Sequence, residues 1–198
     1  MYRTAQNIAA MCLGAVIVLA TATPAFSDDS VPNPSELAAA TTPALYQGEV
    51  IDLAEDWEGA QACIQQEAGA LIEFVCYEDV ATAAAAESWE EAGEIGASSL
   101  SSCGAGHMCL YQFKGYGTPL VSFNQPGTYN LADKFFRDRA SSLYNNRSTK
   151  STLVDFRSGI IRDRSITFDP RQTIYDLAHV AYPDGGTWDN KADRVIVR

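Results

Sequence analysis

From residue 103 onward, hydrophobic and polar positions alternate in runs too short for a helix, each closed off by Gly, Pro, Asn, Asp or charged residues. MCLYQF (108–113), PLVSF (119–123), SSLYN (141–145), TLVDF (152–156), SITF (165–168) and RVIV (194–197) are rich in aromatic and β-branched side chains. Such residues suit a pleated, half-buried surface, and their spacing predicts the strands of an all-β sandwich. The pattern also repeats. Leu110-x-x-Phe113 returns as Leu153-x-x-Phe156, 43 residues on, and Tyr129-Asn130-Leu131-Ala132 returns as Tyr175-Asp176-Leu177-Ala178, 46 residues on. SSLY at 141 answers to DRVI at 193, 52 residues on, the growing offset being taken up by the insertion YPDGGTW. Two copies of about 45 residues with four strands each, neither able to bury its apolar face alone, predict a duplicated Greek key.

Before residue 103 the texture differs. LIEFVCY (71–77) is apolar enough for a strand and Ala68-Gly69 suits a turn, so residues 60–77 read as a hairpin, although WEGAQACIQQE (57–67) fits a helical turn equally. Residues 80–94 are Ala- and Glu-rich, which is good helix composition, and residues 96–106 read as a linker. Ser, Pro, Thr and Ala dominate residues 28–42, the signature of an unstructured lead-in. The expected organisation is a disordered lead-in at 28–48, a small hairpin segment at 49–79, a helix and linker at 80–102 and the sandwich at 103–198.

Residues 1–27 stand apart. Arg3 precedes an apolar run from Ile8 to Ala20 that is too short to span a bilayer, and Ala25-Phe26-Ser27 places small residues where a signal peptidase reads them. Export follows, and Cys12 lacks the preceding small residue that a lipid-anchor site needs. An exported chain with four remaining cysteines reads as disulfide-bonded, and of the three connectivities the sequence-local one, Cys63 to Cys76 and Cys103 to Cys109, is preferred. A zinc site using His107 is the rival, but its spacing fits no short-knuckle pattern. His107 itself, in a Gly-rich loop, reads as solvated.

The net charge of −11 is unevenly spread: residues 28–102 hold 16 acids and no Lys or Arg, residues 103–198 hold 13 Lys plus Arg against 9 acids. An acidic first half excludes nucleic-acid binding by the whole chain. It is either a solvated, solubilising segment or one that docks on the more basic second half.

CLYQFKGYGTPLVSF (109–123) and YNLADKFFRDRASSLYNN (129–146) resemble the βγ-crystallin-like domains that include peptidase inhibitor family I36, the Streptomyces metalloproteinase inhibitor type. Tyr111, Tyr116 and Gly117 stand where the family places an aromatic, a folded hairpin and a glycine, and DRASSLY matches its closing strand. Thr118 replaces a usual glycine. The resemblance implies an all-β, two-Greek-key βγ-crystallin-like sandwich, preceded here by a small disulfide-stapled segment and an Ala/Glu-rich helix or linker. It also implies a secreted inhibitor that meets an extracellular protease as a monomer. The alternative is a calcium or cell-surface binding module without inhibitory activity.

Calcium-binding members use loops of two Asn or Asp, two variable residues, then Ser or Thr and Ser. The loops here align as Arg137-Asp138-Arg139-Ala140-Ser141-Ser142 and Asp189-Asn190-Lys191-Ala192-Asp193-Arg194. Asp138, Ser141, Asp189, Asn190 and Asp193 are the remaining ligand candidates. Arg137 and Arg194 put a cation beside each would-be site, so no cofactor is expected and calcium affinity is at most weak. Turn-stabilising side-chain bonds by these residues are the competing reading. The inhibitory members carry a rigid, disulfide-braced loop in the second half, and its nearest analogue here is FRSGIIRDRS (156–165). Arg157, Gly159, Ile160, Ile161 and Arg162 would engage the protease, with Ile160 and Ile161 as apolar anchors; the same isoleucines could instead be core. Only His107 and His179 could act as bases near neutrality and no nucleophile elbow or zinc-protease motif occurs, which points away from an enzyme. No membrane partner is expected.

Overall fold

The computed structural model describes residues 34–67, 69–70, 72–89 and 103–198; the expectations for residues 1–27, including Cys12, lie outside them. The described chain opens with a short helix α1 (Pro34–Ala39) and strands β1 (Pro43–Tyr46) and β2 (Glu49–Asp52). Strands β3 (Ala62–Gln65) and β4 (Phe74–Tyr77) and helix α2 (Val80–Ala86) follow. After residue 103 come β5 (Met108–Phe113), β6 (Gly117–Phe123), β7 (Gly127–Asn130) and β8 (Ser142–Asn145), then β9 (Ser151–Asp155), β10 (Arg164–Phe168), β11 (Thr173–Ile174) and β12 (Arg194–Val197).

These last eight strands are two Greek keys packed as a sandwich, in which each key lends its third strand to the other: β11 joins β8-β5-β6, and β7 joins β10-β9-β12. Met108, Leu110, Val121, Phe123 and Leu143 from one sheet meet Leu153, Phe168, Val195 and Val197 from the other, all buried. The first sheet is covered on its second face as well, where Val80 and Ala83 of α2 pack over Ala62, Ile64, Tyr111 and Leu120. Burial on both faces explains why MCLYQF is apolar without a break through Tyr111.

The segment before residue 103 is part of that sheet. β3 and β4 form the expected hairpin, held by the Cys63–Cys76 bond, and β3 pairs in parallel with β6 while β4 pairs in parallel with β1. The expected unstructured lead-in at 28–48 is corrected where it is described: α1 and β1 lie within it. The physical reason is local. Ala44 is fully buried, β2 folds back on β1, and Asp52 accepts the amides of Thr41 and Thr42 at 2.6 and 2.9 Å. Helix α2 is also shorter than the 80–94 expected. It starts on Asp79, whose side chain accepts the Thr82 amide, and ends at Glu87, after which Ser88 turns left-handed (φ 50°) and Trp89 packs against His107.

Candidate functional site

Residues 156–163 join β9 to the edge strand β10. Ile160 is fully solvent-exposed and Ile161 half-exposed, so neither is core. The turn beneath them is tied at many points. The Arg157 amide donates to Asp163 Oδ1 at 3.0 Å, closing the loop across its mouth. Arg164 forks onto Asp184 at 2.9 and 2.8 Å and gives a third bond, 3.1 Å, to the Arg162 carbonyl. Arg157 Nη1 donates to the Tyr182 hydroxyl at 3.1 Å, and Tyr182 in turn donates to Asp155. Burial, and then the hydrogen bond to Asp155, raise the Tyr182 pKa, so it remains a donor at neutral pH. The Phe156 amide donates to Asp193, and the Arg194 guanidinium lies 4.3 Å over the Phe156 ring. Where the resembled inhibitors use a disulfide, arginine–aspartate bonds to the YPDGGTW insertion brace this loop.

The two keys treat their equivalent hairpins differently. Gly115, between β5 and β6, and Gly159, between β9 and β10, have the same left-handed φ of +71°. Over Gly115 lies the Tyr175 ring, 3.0–3.2 Å from where a Cβ would stand, and the Gly115 amide donates to the Tyr175 carbonyl at 2.7 Å. Nothing lies within 4 Å of that point at Gly159. Tyr129, the counterpart of Tyr175 in the repeat, stacks instead on Phe123 at 4.8 Å and donates to the Gln125 carbonyl.

The two loops aligned from sequence clasp each other about a local two-fold. Asp138 N donates to Ala192 O at 2.9 Å and Asn190 N to Ala140 O at 3.0 Å, Leu131 N to Asp193 O and Leu177 N to Ser141 O both at 2.8 Å. Asp138 and Asn190 both adopt left-handed backbone (φ 54° and 53°). On one side of this clasp the carboxylates of Asp138, Asp155 and Asp193 converge, with ligand oxygens within 4.8 Å of one another. On the other side stand Ser141, Asn190 and Asp189: the Ser141 hydroxyl donates to Asn190 Oδ1 at 3.4 Å and Asn190 Nδ2 to Asp189 Oδ2 at 3.1 Å. All five ligand candidates named from the sequence therefore lie in the clasp. Asp155 was missed. It is the last residue of β9 and lies outside both aligned loops, so the loop pattern carried no signal for it.

The carboxylate cluster does not fit a metal as it stands. Asp193 is 1% exposed, its Oδ1 receives no directed hydrogen bond, and the Nε of Arg137 sits against that oxygen as an ion pair, 3.7 Å from Asp138. Ser142, the closing hydroxyl of the first loop, donates to the Phe113 carbonyl at 2.7 Å and accepts the Tyr116 amide at 3.0 Å, so it braces the covered hairpin. Arg194, expected beside the second loop's site, points to Phe156 instead.

The remaining candidates are structural. Cys63 is bonded to Cys76 and Cys103 to Cys109, which leaves no thiolate of these four for zinc. His107 is buried, not solvated, with Nδ1 2.7 Å from Ser122 Oγ. Among the described residues no helix is long and apolar enough to cross a membrane.

Residues 96–155 match the model of peptidase inhibitor family I36, and it is to that family that this part of the chain is similar. The crystal structure of a double mutant of a βγ-crystallin domain from Clostridium beijerinckii is a structural neighbour at 21% identity and a TM-score of 0.33, over 46% of this chain and 93% of that one. No curated protein matches. The I36 match ends at the last residue of β9, so the braced loop lies just beyond it.

Proposed function

We propose that this protein is a secreted proteinase inhibitor of the I36 type, acting on metalloproteinases through a substrate-like loop at residues 156–163. The observation that carries the reading is the open, braced hairpin: a bulky aliphatic side chain fully in water on a turn fixed by charge-assisted bonds. Exposing Ile160 forgoes its burial on folding, roughly 2 kcal/mol for such a side chain, which a partner's apolar pocket would supply. A loop already held in its bound shape loses little entropy on docking. Ile160 and Ile161 are the anchors, Arg157 and Arg162 flank them, and Gly159 provides the left-handed turn. The family match supports inhibition in general; the loop and the metalloproteinase target are ours. We read calcium as at most a weak ligand.

A panel of thermolysin-like metalloproteinases and serine peptidases tests this. The protein freed of residues 1–27 should inhibit at least one metalloproteinase. Ile160→Asp should abolish that inhibition, because a charge in a dry pocket is strongly disfavoured, while stability stays within about 0.5 kcal/mol as for other exposed positions. Failure of the intact protein across the panel overturns the reading.

A further inference from the structure

We infer that Arg137 is a built-in cation that closes the Asp138, Asp155 and Asp193 cluster, cross-links the two Greek keys and positions the exposed hairpin without any metal. The positioning half of this rests on the inhibitory reading of residues 156–163; the cross-link does not. Three carboxylates within 4.8 Å of one another repel strongly unless a cation lies among them. Arg137 supplies it from the first key, reaching Asp193 of the second, which is all but sealed from solvent. The other half of the clasp shows what this contact adds. There Ser141 and Asn190 stand in place of Asp193 and Asp138, and Asp189 stands in place of Arg137, so the side chains of the two loops are joined there by the neutral Ser141–Asn190 hydrogen bond, and Asp189 bonds only within its own loop.

The cluster is also the floor of the hairpin. Asp193 takes the Phe156 amide, the first residue of the loop, and Asp155 takes the Tyr182 hydroxyl that receives Arg157. Arg157 stands 3.8 Å from Asp155 on the far side, too long for a close pair, so Arg137 is the cation in direct contact with the buried carboxylate. Removing its charge leaves Asp193 buried and uncompensated, and that carboxylate must then protonate, draw in solvent or turn away from Phe156. Each outcome loosens the loop where it leaves β9. A guanidinium tethered to the neighbouring residue of Asp138 is present at unit stoichiometry in every molecule, whereas a free divalent ion is held only above its dissociation constant.

The test uses Arg137→Gln in the full protein freed of residues 1–27, with Arg137→Lys as the charge-retaining control. Thermal melting and inhibition are measured in chelator and in millimolar calcium. Wild type and Arg137→Lys should melt and inhibit alike in both buffers. In chelator, Arg137→Gln should melt several degrees lower and inhibit at least about tenfold more weakly, the scale of one lost charge-assisted contact. Calcium, now able to enter among the three carboxylates, should restore both. An Arg137→Gln protein that melts like wild type in chelator, or that calcium does not rescue, overturns the inference. So does a wild type that needs calcium to reach its full melting temperature. If no variant inhibits any peptidase, the inhibitory reading fails alone, since melting and its calcium response still decide the role of Arg137.

Discussion

His107 stands between the Trp89 ring, 5.6 Å away edge-on, and Ser122, with Arg147 nearby. Burial first, and then the Arg147 charge, push its pKa down to about 4. A base whose pKa falls on folding makes the unfolded chain the better proton acceptor. Stability from this residue is therefore intact above about pH 6.5, declines as pH drops towards 4, and levels off below, a total of order 3 kcal/mol. Melting curves between pH 7 and 4 should fall more steeply for wild type than for His107→Gln, and parallel curves would exclude the effect. The sequence placed this histidine in water because it sits in a Gly-rich loop, after Gly104 and Gly106. Gly104 is in fact a packing residue: the Trp89 indole lies 2.4–2.7 Å from where its Cβ would be. A contact between residues fifteen apart in sequence has no local signature, whereas Arg137 beside Asp138 was visible as a cation next to a would-be ligand.

At the level of elements, the strands with a hydrophobic rhythm were legible. β5 and β12 coincide with MCLYQF and RVIV, while β7 (GTYN) and β11 (TI) are short and polar and announced themselves only through the repeat. The hairpin at 156–163 was legible as composition and its brace was not, because Asp184 and Tyr182 arrive from an insertion that looked like spare loop. That brace gives a prediction of its own. Asp184 contributes little to global stability, because solvent screens an ion pair at so open a site. Asp184→Ala should thus leave melting nearly unchanged while amide exchange in residues 157–163 accelerates and inhibition weakens. Unchanged exchange would mean that the turn holds itself.

On the scale of the molecule, the described part of the acidic segment is neither a solvated linker nor an electrostatically docked one. Trp57 stacks on Phe136 at 5.8 Å and donates its indole N–H to the Lys134 carbonyl at 2.8 Å, and β3 completes the ladder of β6. Among the described residues one ion pair, Lys134 with Glu73 at 3.9 Å, crosses between the two parts. Trp57→Ala should therefore cost about 3 kcal/mol, the scale of a large-to-small core change, and the loss should be the same at low and high salt. A loss that grows as salt is lowered would restore the electrostatic account. Net charge is a poor guide here because backbone pairing and one buried indole hold the segment in place despite its sixteen acids.

The exchange of β7 and β11 has a consequence for valence. An assembly of two identical keys would hold both third-strand tyrosines in one place, so both hairpins would be roofed or both bare. Two covalently joined copies are free to differ. Tyr175 closes one hairpin, Tyr129 turns inward and leaves the other open, and Arg137 has no counterpart across the two-fold. The described chain thus has the interior of a symmetric pair and one bare hairpin, so that on the proposed reading it would offer one bait to one peptidase.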